Sequence, residues 1–157
     1  MFREMRRHKQ EVGRDVCVRI LDEEKRAVLS VNGDDGYPYA VPINFWYDSE
    51  ADKIYFHCAK AGHKLDAIMR DDKVCFTVYN TGYHKEDWSY YVTSVIVFGR
   101  ARVMTDEAVM REKIRKFGLK YYPTAPEVDE EIRRDFDRVN FVEITIEHMT
   151  GKLVHEK

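Results

Sequence analysis

Apolar and polar residues alternate through much of this chain, and where the alternation stops a helical period takes over. The stretch "RAVLSVNGDDGYPYAVPINFWYD" predicts a hairpin: Ala27 to Val31 as one strand, "NGDDG" as the turn, and Tyr37 to Tyr47 as the return. A second turn, "DSEAD", leads into the strand "KIYFHCA". Further strands are predicted at "KVCFTVYN", "YYVTSVIVFGRARVM" and "NFVEITIEHMTGK". Between them lie helical periods. Residues from about Lys9 to Glu24 put Val12, Val16, Ile20 and Leu21 on one stripe, and a short helix runs from about His63 to Arg70. "TDEAVMREKIRKFGLKYY" is amphipathic, with Thr105 placed to cap it and Glu107 in its first turn; Pro123 and Pro126 break it before a last short helix, "VDEEIRRDFDRV". The polar, aromatic segment "TGYHKEDW" carries no period and reads as a loop.

Short, hairpin-like connections favour an antiparallel sheet or barrel over a doubly wound sheet, so the fold class is mainly β with short inserted helices. Two places depart from plain alternation. Pro42 interrupts "YAVPINFW"; with no N–H it belongs on a sheet edge or bulge, where the backbone of Val41, Ile43 and Asn44 is freed. Such free groups suit a flat heteroaromatic ring with polar edges. In "SVIVFG", Val95 and Val97 point one way and Ile96 and Phe98 the other, so the strand is expected to be buried on both faces, the outer one by a helix or, the favoured reading, by a second subunit.

Composition narrows the class. The chain has 157 residues, 44% of them hydrophobic and 34% charged, with a formal charge of -2, which fits one globular domain spanning 1–157. The near-neutral balance argues against nucleic-acid binding. No apolar run reaches the roughly 18–20 residues that cross a bilayer, and "MFREMRRHKQEVGRD" lacks the apolar core of a secretory signal. Cys17, Cys58 and Cys75 are odd in number, widely spaced and set among apolar residues, as in a reduced, cytoplasmic protein.

The candidate chemistry sits in "FHCAKAGHKLDAI". A helix N-terminus carries partial positive charge and normally favours an acid, yet this one begins Gly62-His63-Lys64. Free backbone N–H groups, a glycine that lets a ligand approach, and two basic side chains suit a phosphate. An exposed turn whose basic residues reach water is the alternative. Neither a Walker loop nor a dinucleotide fingerprint is present. A metal site at His57, Cys58 and His63 is disfavoured, because neighbours on a strand project to opposite faces.

Taken together, "DGYPYAVPINFWYD", "IYFHCAKAGHKLDAI", "KVCFTV", "TSVIVFGRARV" and "MTGK" resemble the pyridoxamine 5′-phosphate oxidase-like flavin-binding family, and within it the nitroimidazole-resistance branch, over about Glu11 to Lys152. The resemblance implies a split β-barrel homodimer with FMN in two clefts between subunits. It implies that Val41, Pro42, Ile43 and Asn44 lie along the isoalloxazine ring, that His57, Cys58 and Ala59 line the ribityl chain, and that Gly62, His63 and Lys64 take the phosphate. Thr93 and Ser94 stand where classical oxidases carry an Arg-Gln pair, and Gly62-His63-Lys64 where they carry Ser-Arg-Lys. One permanent charge is thereby replaced by a histidine. The basic C-terminal motif that grips the substrate phosphate in true pyridoxamine phosphate oxidases is absent, so vitamin B6 oxidation is not implied. The expected activity is FMN-dependent reduction of a small acceptor such as a nitroaromatic, with His57 as the candidate proton-transfer residue. A non-enzymatic flavin carrier, or a binder of haem or a deazaflavin on the same fold, is the alternative.

Overall fold

Eight strands form one antiparallel sheet: β1 (Glu11–Val12), β2 (Arg26–Asn32), β3 (Pro38–Asn44), β4 (Trp46–Asp48), β5 (Lys53–Ala59), β6 (Lys73–Tyr79), β7 (Tyr91–Val103) and β8 (Val139–His155). The structure is a computed structural model describing residues 1–157. In space the strands run β3-β2-β6-β7-β8-β5-β4, with β1 added to β8. The sheet curls until β3 returns near β5, giving the split barrel expected from the sequence. Helix α1 (Arg14–Glu23) plugs the barrel. Its Cys17, Ile20 and Leu21 pack with Leu29, Phe56, Phe76, Val97 and Ile144 in one apolar cluster. Gly151 of β8 permits this approach, because any side chain there would run into Cys17 and Val12.

A second, smaller cluster lies outside the barrel. Tyr55 and Phe141 present their rings to Met110, Phe117 and Phe136, which come from α3 (Glu107–Leu119) and the turn that follows α4 (Ala125–Asp135). Around Tyr55, β5 and the facing part of β8 are therefore buried on both sides. The sequence assigns that property to β7 as well, with a helix or a second subunit as the cover of its outer face, and a single chain leaves that cover untested. There Val95 and Val97 are fully buried, while Ile96 and Phe98 remain 38% exposed on the outer face of the chain. Phe2 stacks on Phe98 (5.4 Å) and on His148 (4.7 Å) and covers part of this face.

Other boundaries moved for local reasons. The first helix starts at Arg14, not Lys9, because Glu11 and Val12 pair with Lys152 and Gly151 as β1. The return strand of the hairpin breaks at Phe45, whose freed backbone is held by one side chain: the Phe45 N–H donates to the Tyr121 hydroxyl (2.8 Å), which in turn lies 2.6 Å from the Phe45 carbonyl. Asp106, not Thr105, caps α3, accepting from the Val109 amide at 3.1 Å. Pro126 sits in the first turn of α4, where a missing N–H costs nothing, and Thr124 and Glu127 close a capping box. The last strand runs on to His155, paired with Tyr91.

Charge is buried between the sheet and α3. Glu143 accepts from Lys53 (2.8 Å), Tyr55 (3.0 Å) and Arg102 (2.9 Å), and Asp48 accepts from Lys113 (2.7 Å). Burial by itself would raise the Glu143 carboxyl, but the bonds from Lys53, Tyr55 and Arg102 outweigh it and hold it below its ordinary value. A carboxylate depressed in the folded state stabilises the fold above its unfolded pKa, about 4.3, and that contribution is lost as pH falls through the folded value. Glu143→Ala should cost roughly 2–4 kcal/mol in urea unfolding at pH 7, the cations being partly screened by water. The difference from wild type should start to shrink as pH falls below the unfolded value and vanish only below the depressed folded one, where both chains lack the carboxylate.

Candidate functional site

Helix α2 (His63–Arg70) starts from Gly62, whose φ of +136° is reached comfortably only by glycine. A Cβ built there would meet nothing within 4 Å, so the space before the helix is open. The first intrahelical bonds come from Leu65 and Asp66 to the Gly62 carbonyl. The amides of His63 and Lys64 precede them and face the open space at the helix start. The His63 ring stacks on Tyr39 (4.1 Å), and its Nε2 stands 3.5 Å from Asp34. Arg70 pairs with the same Asp34 at 3.1 Å and donates to the carbonyls of Asn32 and Gly33. The β2–β3 turn is thus tied to the helix start through one carboxylate. Tyr39, Asp34 and Arg70 were missed in the sequence, where nothing in the period of a strand marks a turn residue that reaches a helix far along the chain.

β3 is an edge strand, paired on one side with β2, which places Pro42 where a proline is tolerated. Val41 and Ile43 pack on the barrel core, while Pro42 and Asn44 project from the opposite, outer face. Pro42, Val28, Thr77 and Ile96 form one row across four strands. Ser94 lies on that same outer face, two residues from Ile96. Thr93 faces the other way and is buried, its amide donating to Asn80 Oδ1 at 2.9 Å. Thr93 and Ser94 therefore cannot both present side chains to one ligand.

β5 divides its candidates similarly. Cys58 is buried in the barrel and can offer a ligand only its backbone, and burial pushes its thiol up. Ala59 is exposed. His57 points to the outer side, its ring edge-on to Phe117 at 5.2 Å and an interplanar angle of 90°. Part of the residue reaches solvent, yet the ring sits against an apolar wall. That burial, followed by the Lys64 cation, holds His57 below its ordinary value. No three His, Cys, Asp or Glu side chains converge to hold a metal, and no helix is long and apolar enough to cross a membrane.

The curled antiparallel barrel is the feature this chain shares with solved structures. The chain belongs to the pyridoxamine 5′-phosphate oxidase family, whose profile matches residues 13–153. No curated protein matches the sequence. Among solved structures it is similar to a candidate 5-nitroimidazole antibiotic resistance protein of Bacteroides thetaiotaomicron, with 20% identity, a TM-score of 0.77, and 92% of this chain and 87% of the other covered. It is also similar to the flavocytochrome Anf3 of Azotobacter vinelandii (23%, TM-score 0.76, covering 96% and 72%). A third is an FAD-binding protein of Mycobacterium smegmatis (20%, TM-score 0.67, covering 93% and 98%). At these identities the likeness speaks for the fold.

The electrostatics of His57 give a direct check. In an NMR titration its ring should protonate at lower pH than an unperturbed histidine, about 6.5. Lys64→Gln should move that titration upward, since it removes a cation that opposes protonation.

Proposed function

We propose that the chain is an FMN-binding flavoprotein that reduces small acceptors such as nitroaromatics, and that it works as a homodimer with the flavin between subunits. The observation that carries this reading is the Gly62 start of α2: open space, two leading amides and Lys64, suited to a phosphate. The spacing of the edge strand agrees. Tyr39 touches His63, and Pro42 and Asn44 follow three and five residues further along β3, roughly 10–17 Å away, a span that a ribityl chain can cover. A phosphate at the helix start would thus bring a flat ring to Pro42 and Asn44, while Ser94 shares their outer face three strands away. Val41, Ile43, Cys58 and Thr93 would contribute backbone, their side chains being turned into the barrel, and Ala59 and His57 would flank the chain between ring and phosphate.

The flavin would supply the electron transfer, and this chain's residues would hold and orient it and keep water from one side. The flavin-binding proteins among the similar structures support a flavin in this fold, and the 5-nitroimidazole resistance protein supports the choice of acceptor. The exposed Ile96 and Phe98, next to small residues on β2 and β6, support a second copy as the cover.

Three measurements test the reading. Protein titrated with FMN should develop a perturbed flavin spectrum with saturable binding; a chain that binds neither FMN nor FAD ends the proposal. Lys64→Ala should weaken FMN binding by roughly 1.5–3 kcal/mol, the scale of a charge-assisted hydrogen bond. An unchanged affinity would place the phosphate elsewhere. In stopped flow, a nicotinamide donor should bleach the bound flavin and a nitroaromatic should restore its colour. Bleaching without acceptor-dependent recovery would point to a carrier instead of a reductase.

A further inference from the structure

The side of β5 that carries His57 opens into a cleft whose other walls the flavin reading does not use. It lies between the outer face of β5 and β8 and the helix pair α3–α4, and holds about 110 Å³. Its walls are almost wholly apolar, with the rings of Phe117, Phe136 and Phe141 and the side chains of Ile114 and Ile132. Phe117 stands edge-on to both Phe141 (6.1 Å, 88°) and His57 (5.2 Å, 90°). Gly118 of α3 lies so close to Val128 of α4 that a side chain there would collide with it, which fixes the closed end of the cleft. Two acids stand at the mouth, and both are already paired: Glu131 with Arg134, and Asp135 with Arg134 (2.7 Å) and Arg138 (3.0 Å).

We propose that this cleft is a binding site for a small, uncharged, single-ring aromatic molecule, with the His57 imidazole as its polar contact. Size sets the single ring: a cavity of roughly 150 Å³ lined by Leu, Ile and Phe takes benzene, and this one is slightly smaller but open on one side for a substituent. The arrangement of ring edges sets the aromatic preference, since flat rings pack well against edges and offset faces. Charge is disfavoured because the acids at the mouth are neutralised and the walls offer no other counter-charge. His57 supplies ring nitrogens beside the apolar wall, and the Tyr122 hydroxyl is the other uncharged polar group of the lining. The His57 ring's aromatic contact is with the edge of Phe117 and its nitrogens make no hydrogen bond within the chain, so a donor or acceptor on the ligand would find them unengaged. The site shares His57 with the flavin reading, but its ligands are titrated without flavin, so either reading can fail alone.

Fluorobenzene and 4-fluorophenol, followed by ¹⁹F NMR titration into the full chain, test it. Both should bind saturably, 4-fluorophenol about five- to tenfold tighter, the worth of one hydrogen bond. His57→Phe should still bind fluorobenzene but lose the preference for the phenol. Ile132→Trp, which fills the cleft, should abolish both. Absence of saturable binding to the wild type overturns the proposal, as does a preference that survives His57→Phe. Should Ile132→Trp not fold, amide shifts of Phe117 and Phe141 on adding 4-fluorophenol decide the location: shifts there support the cleft, and shifts confined elsewhere overturn it.

Discussion

Strand β5 is the constraint on which the rest of the molecule depends. Its alternation sends Ile54, Phe56 and Cys58 into the barrel and Tyr55 and His57 to the outside, where α3 and α4 pack. A one-residue slip would exchange the two sets and put a histidine in the barrel core. The register against β8 prevents it: Tyr55 faces Glu143 and His57 faces Phe141. The Tyr55 hydroxyl donates to Glu143, and its ring stacks on Phe141 at 5.5 Å. Burying Glu143 is tolerable only with Lys53 and Arg102 beside it. The strand's outward face is thus fixed by a polar network and its inward face by apolar packing, and His57 inherits a defined direction from both.

The outer helices are joined to the barrel by the last residues of α3 and the turn after it. Lys120 donates to the Leu21 carbonyl in the last turn of α1 (3.0 Å) and lies over the Phe45 ring at 4.2 Å. Burial pushes its ammonium down to about 8, outweighing the pull of Asp22 and Glu24. Tyr121 satisfies both backbone groups of Phe45, where β3 gives way to β4. Phe117, one turn earlier, meets His57. One short segment therefore links the plug of the barrel, the break in its edge and the candidate site. The edge strand that carries Pro42 is free to end at Phe45 because Tyr121 takes over the hydrogen bonds a continued ladder would have made.

Much of this was legible in the sequence, and what was not has physical causes. β5 and α2 fall where their patterns place them, because a polar turn and a glycine bound them sharply. Pro42 announced an edge strand, and β3 is one. The first helix was overextended because Val12 satisfies a helical period as well as it does the two-residue strand it forms; only β8, far along the chain, decides between them. Alternation marks two apolar faces on β7, of which this chain covers the inner one and part of the outer, whereas around Tyr55 it covers both faces of β5. Alternation reports which residues share a face, and it does not report which element comes to cover that face. The cleft under α3 and α4 was invisible for the same reason: its lining is drawn from β5, β8 and two helices that only the fold brings together.

The same limit explains the histidine at the helix start. In sequence, His63 reads as a weaker copy of an arginine that would grip an anion. In the fold its ring is already engaged, stacked on Tyr39 with Nε2 toward Asp34, and Asp34 is shared with Arg70. An incoming phosphate would meet the two leading amides of α2 and the Lys64 ammonium, whose charge is felt as far as His57 and Cys58. His63 would act less as a charge than as a strut that sets the distance between α2 and the β2–β3 turn. Replacing a rigid five-donor guanidinium by an imidazole at that place shortens the reach and keeps the turn close. With Arg70 held by Asp34, an anion at the helix start would find its permanent charge in Lys64, and the helix start rests on a single glycine with positive φ.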